Sequence, residues 1–155
     1  MDRSEISLVL KSCEFFKGLQ KDDIQEIANL CRVKAYAAGD HIFRQGDLGN
    51  KIYVIAEGHV FLERSVDLGP RKGSAVIGLI PKERVFGCWS TLLDEKHTLM
   101  SSAVCRKPTK VLVIKGSDLR QIMLDNNEVG FNILESLCFL LRDRLKGVYQ
   151  AMEEI

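Results

Sequence analysis

The chain has 155 residues, 46% hydrophobic and 28% charged, which is enough for one domain with a sizeable buried core. Lysine plus arginine total 22 against 21 acids, a formal net charge of +1 that gives no electrostatic reason to expect nucleic acid or an anionic membrane as a partner. No apolar run approaches the ~20 residues that cross a bilayer, and Met1-Asp2-Arg3-Ser4-Glu5 is too polar to open a secretory signal, so a cytoplasmic protein is expected.

The five cysteines, Cys13, Cys31, Cys88, Cys105 and Cys138, are odd in number, scattered and free of any Cys-x-x-Cys pair. That distribution argues against a disulfide framework or a zinc site and for a reducing compartment. His41, His59 and His97 also lack metal-ligand spacing, and no metal is expected.

Along the chain, residues 4–16 read as a short helix opening at Ser4, with Ile6, Leu8, Val9, Leu10 and Cys13 apolar. Phe15 to Leu19 follow as a bend with Gly18 as the stop. A second helix begins near Gln20, with Asp22 and Asp23 at its positive end and Ile24, Ile27, Ala28 and Cys31 as its buried stripe. From Arg32 the period changes to two. Short strands are expected at Val33–Ala35, His41–Phe43, Ile52–Ile55, Val60–Leu62, Val76–Ile80 and Val111–Ile114, separated by turn signals such as Gly39-Asp40, Gln45-Gly46-Asp47 and Gly58. Gly39, Gly46, Gly49 and Gly58 are expected at left-handed corners, and residues 66–74 as a polar hairpin tip carrying Arg71 and Lys72. Such a succession of short strands predicts a sandwich or jelly-roll barrel.

The stretch Val85 to Cys105 concentrates the functional signal. Val85-Phe86-Gly87 reads as a strand ending at a sharp turn, and Trp89, Leu92 and Leu93 at i, i+3 and i+4 suit one or two turns of helix on a core. Leu99 to Cys105 reads as strand again. This order places helix N–H groups at the mouth of a cavity, an arrangement that attracts anions.

Phe86-Gly87 and the turn-and-strand run from Ala38 to Val60 resemble the cyclic nucleotide-binding domain family, that of the bacterial catabolite activator and kinase regulatory subunits. The resemblance covers nearly the whole chain. It implies a fold of α+β class, mainly β: a jelly-roll β-barrel, or double-stranded β-helix, with N-terminal helices and a long C-terminal dimerisation helix. The single domain then divides into N-terminal helices (1–31), a β-roll (32–115) holding a phosphate-binding-cassette-like segment (85–105), and C-terminal helices (116–155). In the family pattern a glutamate follows Phe-Gly and an arginine opens the next strand, holding ribose and cyclic phosphate. Here Cys88 stands in the glutamate slot and Leu99 near the arginine slot. A second alignment, to a divergent bacterial branch reading Phe-Gly-Trp-Ser, makes Cys88 an insertion. Neither alignment supplies the arginine, so a cyclic nucleotide is possible but disfavoured as ligand, and no cofactor is expected.

The ligand site implied by the resemblance comprises Phe86, Gly87, Cys88, Trp89, Ser90, Thr91, Leu99, Ser101 and Ser102, an anion being expected on the backbone N–H groups of Cys88 to Thr91 beside the two serines.

After the roll, Ser117 is positioned to cap a helix that Asn126-Asn127 ends. The final helix carries Phe131, Leu134, Cys138, Leu141, Leu145, Val148, Met152 and Ile155 at alternating spacings of three and four, a heptad seam that predicts a homodimer. Ile133, Leu137 and Leu140 widen its first half, so that Phe131 to Leu141 can be explained as cover for the barrel, but Leu145 to Ile155 cannot.

No nucleophile–base pair or carboxylate pair stands in the cassette, so an enzyme is not expected. The leading expectation is a small-molecule-sensing regulatory domain acting through a dimer helix on a downstream protein. The alternatives are a ligand-free interaction module, a truncated transcription regulator without its DNA-binding domain, and a thiol sensor at Cys88.

Overall fold

A computed structural model describes residues 1–153. Helix α1 (Arg3–Ser12) opens one residue earlier than Ser4 because Asp2, not serine, is its cap: the Asp2 carboxylate accepts from the Glu5 N–H at 2.9 Å while Glu5 accepts from Asp2 N–H. The helix stops at Cys13, so Phe15 and Phe16 lie in a turn, yet both are buried. Leu8, counted on the apolar face, is exposed. Helix α2 (Lys21–Leu30) buries Ile24, Ile27 and Ala28, with Cys31 half-buried at its end.

The strands are β1 (Arg32–Tyr36), β2 (His41–Phe43), β3 (Leu48–Gly49), β4 (Lys51–Glu57), β5 (Val60–Asp67), β6 (Lys72–Ile80), β7 (Val85–Gly87), β8 (His97–Thr98), β9 (Ser102–Val104) and β10 (Thr109–Lys115). They form antiparallel sheets of order β1-β10-β4-β7 and β2-β9-β5-β6, with the small pair β3-β8. This is a jelly-roll domain of mainly β structure flanked by N- and C-terminal helices.

β4 explains how the halves join. Ile52 and Val54 face a core shared with the helices, including Leu10, Phe16, Ile27, Leu119 and Ile133, whereas Tyr53 and Ile55 face the roll interior with Phe43, Val60, Phe86 and Val111. A strand buried on both faces loses the apolar–polar alternation of a surface strand, as the run Ile52 to Ala56 shows. The β5–β6 ladder continues to Asp67↔Lys72, which shortens the expected hairpin tip to residues 68–71. Gly39, Gly46 and Gly58 do adopt positive φ; Gly49 does not, and is small instead because a Cβ there would meet Cys88 Cβ at 2.7 Å.

A 3-10 helix (Trp89–Leu93) follows β7 in place of an α-helical turn. Its three-residue period keeps Trp89 and Leu92 in one row but turns Leu93 outward, which is why Leu92 is buried and Leu93 exposed. Leu99 to Ser101 form a bend and not strand.

Helix α3 (Gly116–Asp125) is not capped by Ser117; its cap position is Lys115, without a side-chain bond. Gly116 begins the helix because Thr91 rests against it: a Cβ at Gly116 would overlap the Thr91 side chain. Arg120 of α3 also donates to the Leu92 carbonyl at 2.5 Å. Asn126 ends α3, and its side chain accepts from Val129 N–H at the start of α4 (Asn127–Glu153). α4 packs on the roll and α3 through Val129, Ile133, Leu137 and Leu140.

The seam residues occupy a different stripe. Phe131 (66% exposed), Leu134, Cys138, Leu141, Leu145, Val148 and Met152 are all exposed, so even Phe131 to Leu141 do not cover the roll. Ile155 lies outside the described residues.

Replacing Gly116 by alanine should therefore destabilise the fold by about 1–3 kcal/mol, because Thr91 must be displaced from a packed contact. Urea denaturation checks this. Gly147, whose Cβ would meet nothing within 4 Å, should instead gain up to about 1 kcal/mol on the same change.

Candidate functional site

The 3-10 helix, β7 and the bend before β9 enclose a cavity of about 230 Å³. Its walls include Phe86, Gly87, Cys88, Trp89, Ser90, Leu99 and Ser101, with Phe43, Leu62, Thr98, Met100 and Arg144. Phe43, Tyr53 and Phe86 make an aromatic cluster behind it, with ring centroids 5.1–6.0 Å apart. Burial pushes the Tyr53 hydroxyl up to about 12, so it stays protonated there.

Gly87 permits the turn into this site. Its φ is +130°, and a Cβ would stand 2.5 Å from the Lys51 carbonyl. That same carbonyl accepts from Cys88 N–H at 3.1 Å, so this amide is already occupied. The Cys88 side chain is 6% exposed, packs near Gly49, and directs its thiol to the His97 carbonyl at 3.9 Å. Leu99 is held by backbone bonds to Asp47 and Gly46 at 2.8 Å and sets its side chain against Gly49.

Thr91 and Ser102 do not line the cavity. Thr91 is buried against Gly116, because the tighter winding of the 3-10 helix rotates it toward α3. The Ser102 hydroxyl accepts from Gln45 N–H at 2.9 Å and holds the β2 corner to β9. Ser90 and Ser101 remain as cavity hydroxyls.

Arg144 is one of the charged residues that stand around the seam in sequence. It turns inward instead, donating to the Val85 carbonyl at 3.1 Å with its guanidinium 5.4 Å from the Trp89 ring centroid. Phe15 approaches the same indole at 5.9 Å. Burial lowers the Arg144 pKa from the usual arginine value, with nearby Glu14 opposing that shift. Among the described residues, no carboxylate lies within 4.0 Å of this guanidinium. Glu14 is paired with Arg84, and Asp143 with Arg142. The signal that could have exposed Arg144 was its place in the heptad register, beside the seam on the side nearest the roll.

Two further absences concern the described residues. No cluster of three or more His, Cys, Asp or Glu residues is arranged to hold a metal, and no helix is long and apolar enough to cross a membrane.

Fold and cavity together define a jelly-roll domain with a pocket at its strand-glycine-helix segment. The family model described as "Cyclic nucleotide-binding domain" matches residues 33–126, and the chain belongs to that family. It is 31% identical over 134 residues to the cyclic AMP receptor protein of Thermus thermophilus, covering 86% of this chain and 60% of that protein. Identity to human cGMP-dependent protein kinase 2 is 26% over 160 residues, covering 98% of this chain but 20% of the kinase. The chain thus spans less than two thirds of either relative. Among solved structures, a cyclic nucleotide-binding domain from Methylobacillus flagellatus superposes with a TM-score of 0.80 at 20% identity, covering 98% of this chain and 83% of that one. The N-terminal domain of a transcriptional regulator from Streptomyces coelicolor gives 0.71 at 24% identity, covering 87% and 93%. At these identities the structural likeness establishes the fold.

Proposed function

We propose that this is a non-catalytic sensor domain that takes a small molecule in the roll cavity and reports on it through α4, acting as a homodimer. The observation that supports it best is that one helix serves both places: α4 sends Arg144 into the cavity and exposes the seam on its other stripe. The cavity favours ligand sensing over a ligand-free module, because Trp89 and Leu99 form its walls and leave it open. Its closure would be transmitted from the 3-10 helix to α3 through the Thr91–Gly116 contact and the Arg120–Leu92 bond. The thiol-sensor reading is weaker, since Cys88 fills a packed niche and spends its donor on a carbonyl.

A parallel dimer fits the seam. Leaving Leu141, Leu145, Val148 and Met152 in water forfeits roughly 1.5–3 kcal/mol for each that a partner would bury. β6 adds Val76, Ile77 and Leu79, also exposed, and Leu79 shares a shallow groove with Leu140 of α4. A downstream protein would then read the relative setting of the paired helices.

Cyclic AMP and cyclic GMP should bind weakly, above micromolar concentrations, because Cys88 and Leu99 replace both polar anchors of the family pattern and a lost charge-assisted bond is worth about 1.5–3 kcal/mol. Titration calorimetry with sub-micromolar affinity for either would overturn this.

The dimer is tested by sedimentation and oxidation together. Wild type should be dimeric at micromolar concentration, and Leu145→Asp with Val148→Asp monomeric. Cys138 stands on the seam, so copper-phenanthroline oxidation should link the two copies of a parallel pair. A monomeric wild type, or a double variant that stays dimeric, contradicts the coil; a dimer that fails to link through Cys138 contradicts its parallel arrangement.

A further inference from the structure

The anchoring arginine expected in the cassette is replaced by Leu99, which packs against Gly49. Yet the cavity does not lack a positive charge. Among the described residues lining it, Arg144 alone is a permanent cation, and it arrives from α4, forty-five positions beyond Leu99 in the chain.

The state of that guanidinium is informative. It is half-buried, Glu14 and Asp143 pair with other arginines, and among the described residues its one hydrogen bond is to the Val85 carbonyl. A guanidinium carries five N–H donors in a planar fork suited to an oxyanion. Glu14 is near enough to favour the charged form but pairs with Arg84, and a partly desolvated cation that no carboxylate contacts is costly, since neither a single carbonyl nor an aromatic face replaces an anion. The other walls divide by chemistry: Ser90, Thr98 and Ser101 offer hydroxyls, His97 offers an imidazole whose Nδ1 lies 2.6 Å from the Thr98 carbonyl, and Phe43, Leu62, Phe86 and Met100 offer apolar surface. At about 230 Å³ the cavity is smaller than the ~300–1,000 Å³ usual for drug-sized ligands.

We propose that the cavity binds a compact organic oxyanion, a carboxylate or phosphate ester with an apolar body, and that Arg144 of α4 supplies its counter-charge in place of the missing cassette arginine. This deepens the sensor reading and rests on it. The charge anchor then lies on the helix that carries the seam. An oxyanion that engages the free N–H donors of Arg144 holds a side chain of α4, and so acts on α4 directly instead of through the cassette and α3. Because coupling is reciprocal, pairing of the seam must then alter affinity for the anion.

Trp89 is the sole tryptophan and lies under the Arg144 guanidinium, so its fluorescence reports this site. The full chain is titrated with benzoate, phenyl phosphate, inorganic phosphate and neutral benzamide, with calorimetry as a second readout. Wild type should bind benzoate or phenyl phosphate saturably, and whichever is tighter identifies the acidic group. Inorganic phosphate should bind more weakly for want of an apolar body, and benzamide at least about tenfold more weakly than the better anion. Arg144→Gln should lose at least about tenfold in anion affinity, Arg144→Lys should retain part of it, and Arg142→Gln, on the exposed face of the same helix, should match wild type. Circular dichroism melting verifies that each variant is folded. If Arg144→Gln unfolds, the Arg144→Lys and Arg142→Gln pair still decides, because only the former should change anion affinity.

Anion affinity unchanged in Arg144→Gln, or equal in Arg144→Lys and wild type, overturns the assignment. Binding of benzamide as tight as that of benzoate overturns the anion preference and leaves a neutral-ligand sensor standing. No binding of any probe by a wild type that sediments as a dimer overturns the inference and the sensor reading together, leaving the dimer module.

Discussion

The contact between Thr91 and Gly116 is the constraint on which the arrangement of the domain depends. It fixes a 3-10 helix against the first turn of α3, where no side chain larger than hydrogen fits. The Arg120 bond to the Leu92 carbonyl closes the same junction from the other side. Since α3 ends at Asn126 and that residue caps α4, the 3-10 helix, α3 and the long α4 are joined by direct contacts. Through these contacts a displacement of the 3-10 helix would be passed to α3 and on to the start of α4.

α4 meets the roll a second time through Arg144. This contact differs in kind from the packing of Ile133, Leu137 and Leu140, which is apolar and indifferent to what occupies the cavity. A half-buried guanidinium is sensitive to its electrostatic surroundings, because its desolvation is only partly offset by the Val85 carbonyl and the Trp89 ring. In the proposed sensor, two routes would link cavity to seam: a steric one through Thr91 and Gly116, and an electrostatic one through Arg144. A charge carried by the cassette itself would act through the steric route. In this chain the only permanent cation among the described lining residues stands on the other.

Much of this was legible in the residues. The period-two runs located six of the ten strands, and the heptad spacing of Phe131 to Met152 identified a stripe that the structure leaves exposed throughout. Such patterns are local, so they survive without knowledge of neighbours. The failures share a cause: a side chain's direction depends on helix type or on tertiary register. An α-helical period assigned Leu93 to the core, but a 3-10 period turns it out and turns Thr91 toward Gly116. Ser102 carries the same hydroxyl as Ser101, yet its place in β9 commits it to the Gln45 amide. Arg142 and Arg144 are alike in sequence and two positions apart; only the docking of α4 on the roll separates an exposed ion pair from a cavity cation.

If α4 carries both, the state of the seam and the state of the cavity form one equilibrium. Trp89 emission, followed while the protein is diluted through dimer dissociation, tests it most directly, since Trp89 contacts Arg144 but stands off the seam. Emission should change with a midpoint that coincides with that of dissociation measured by sedimentation, and should not change in the Leu145→Asp, Val148→Asp monomer. Emission that stays constant while the wild-type dimer dissociates would contradict it.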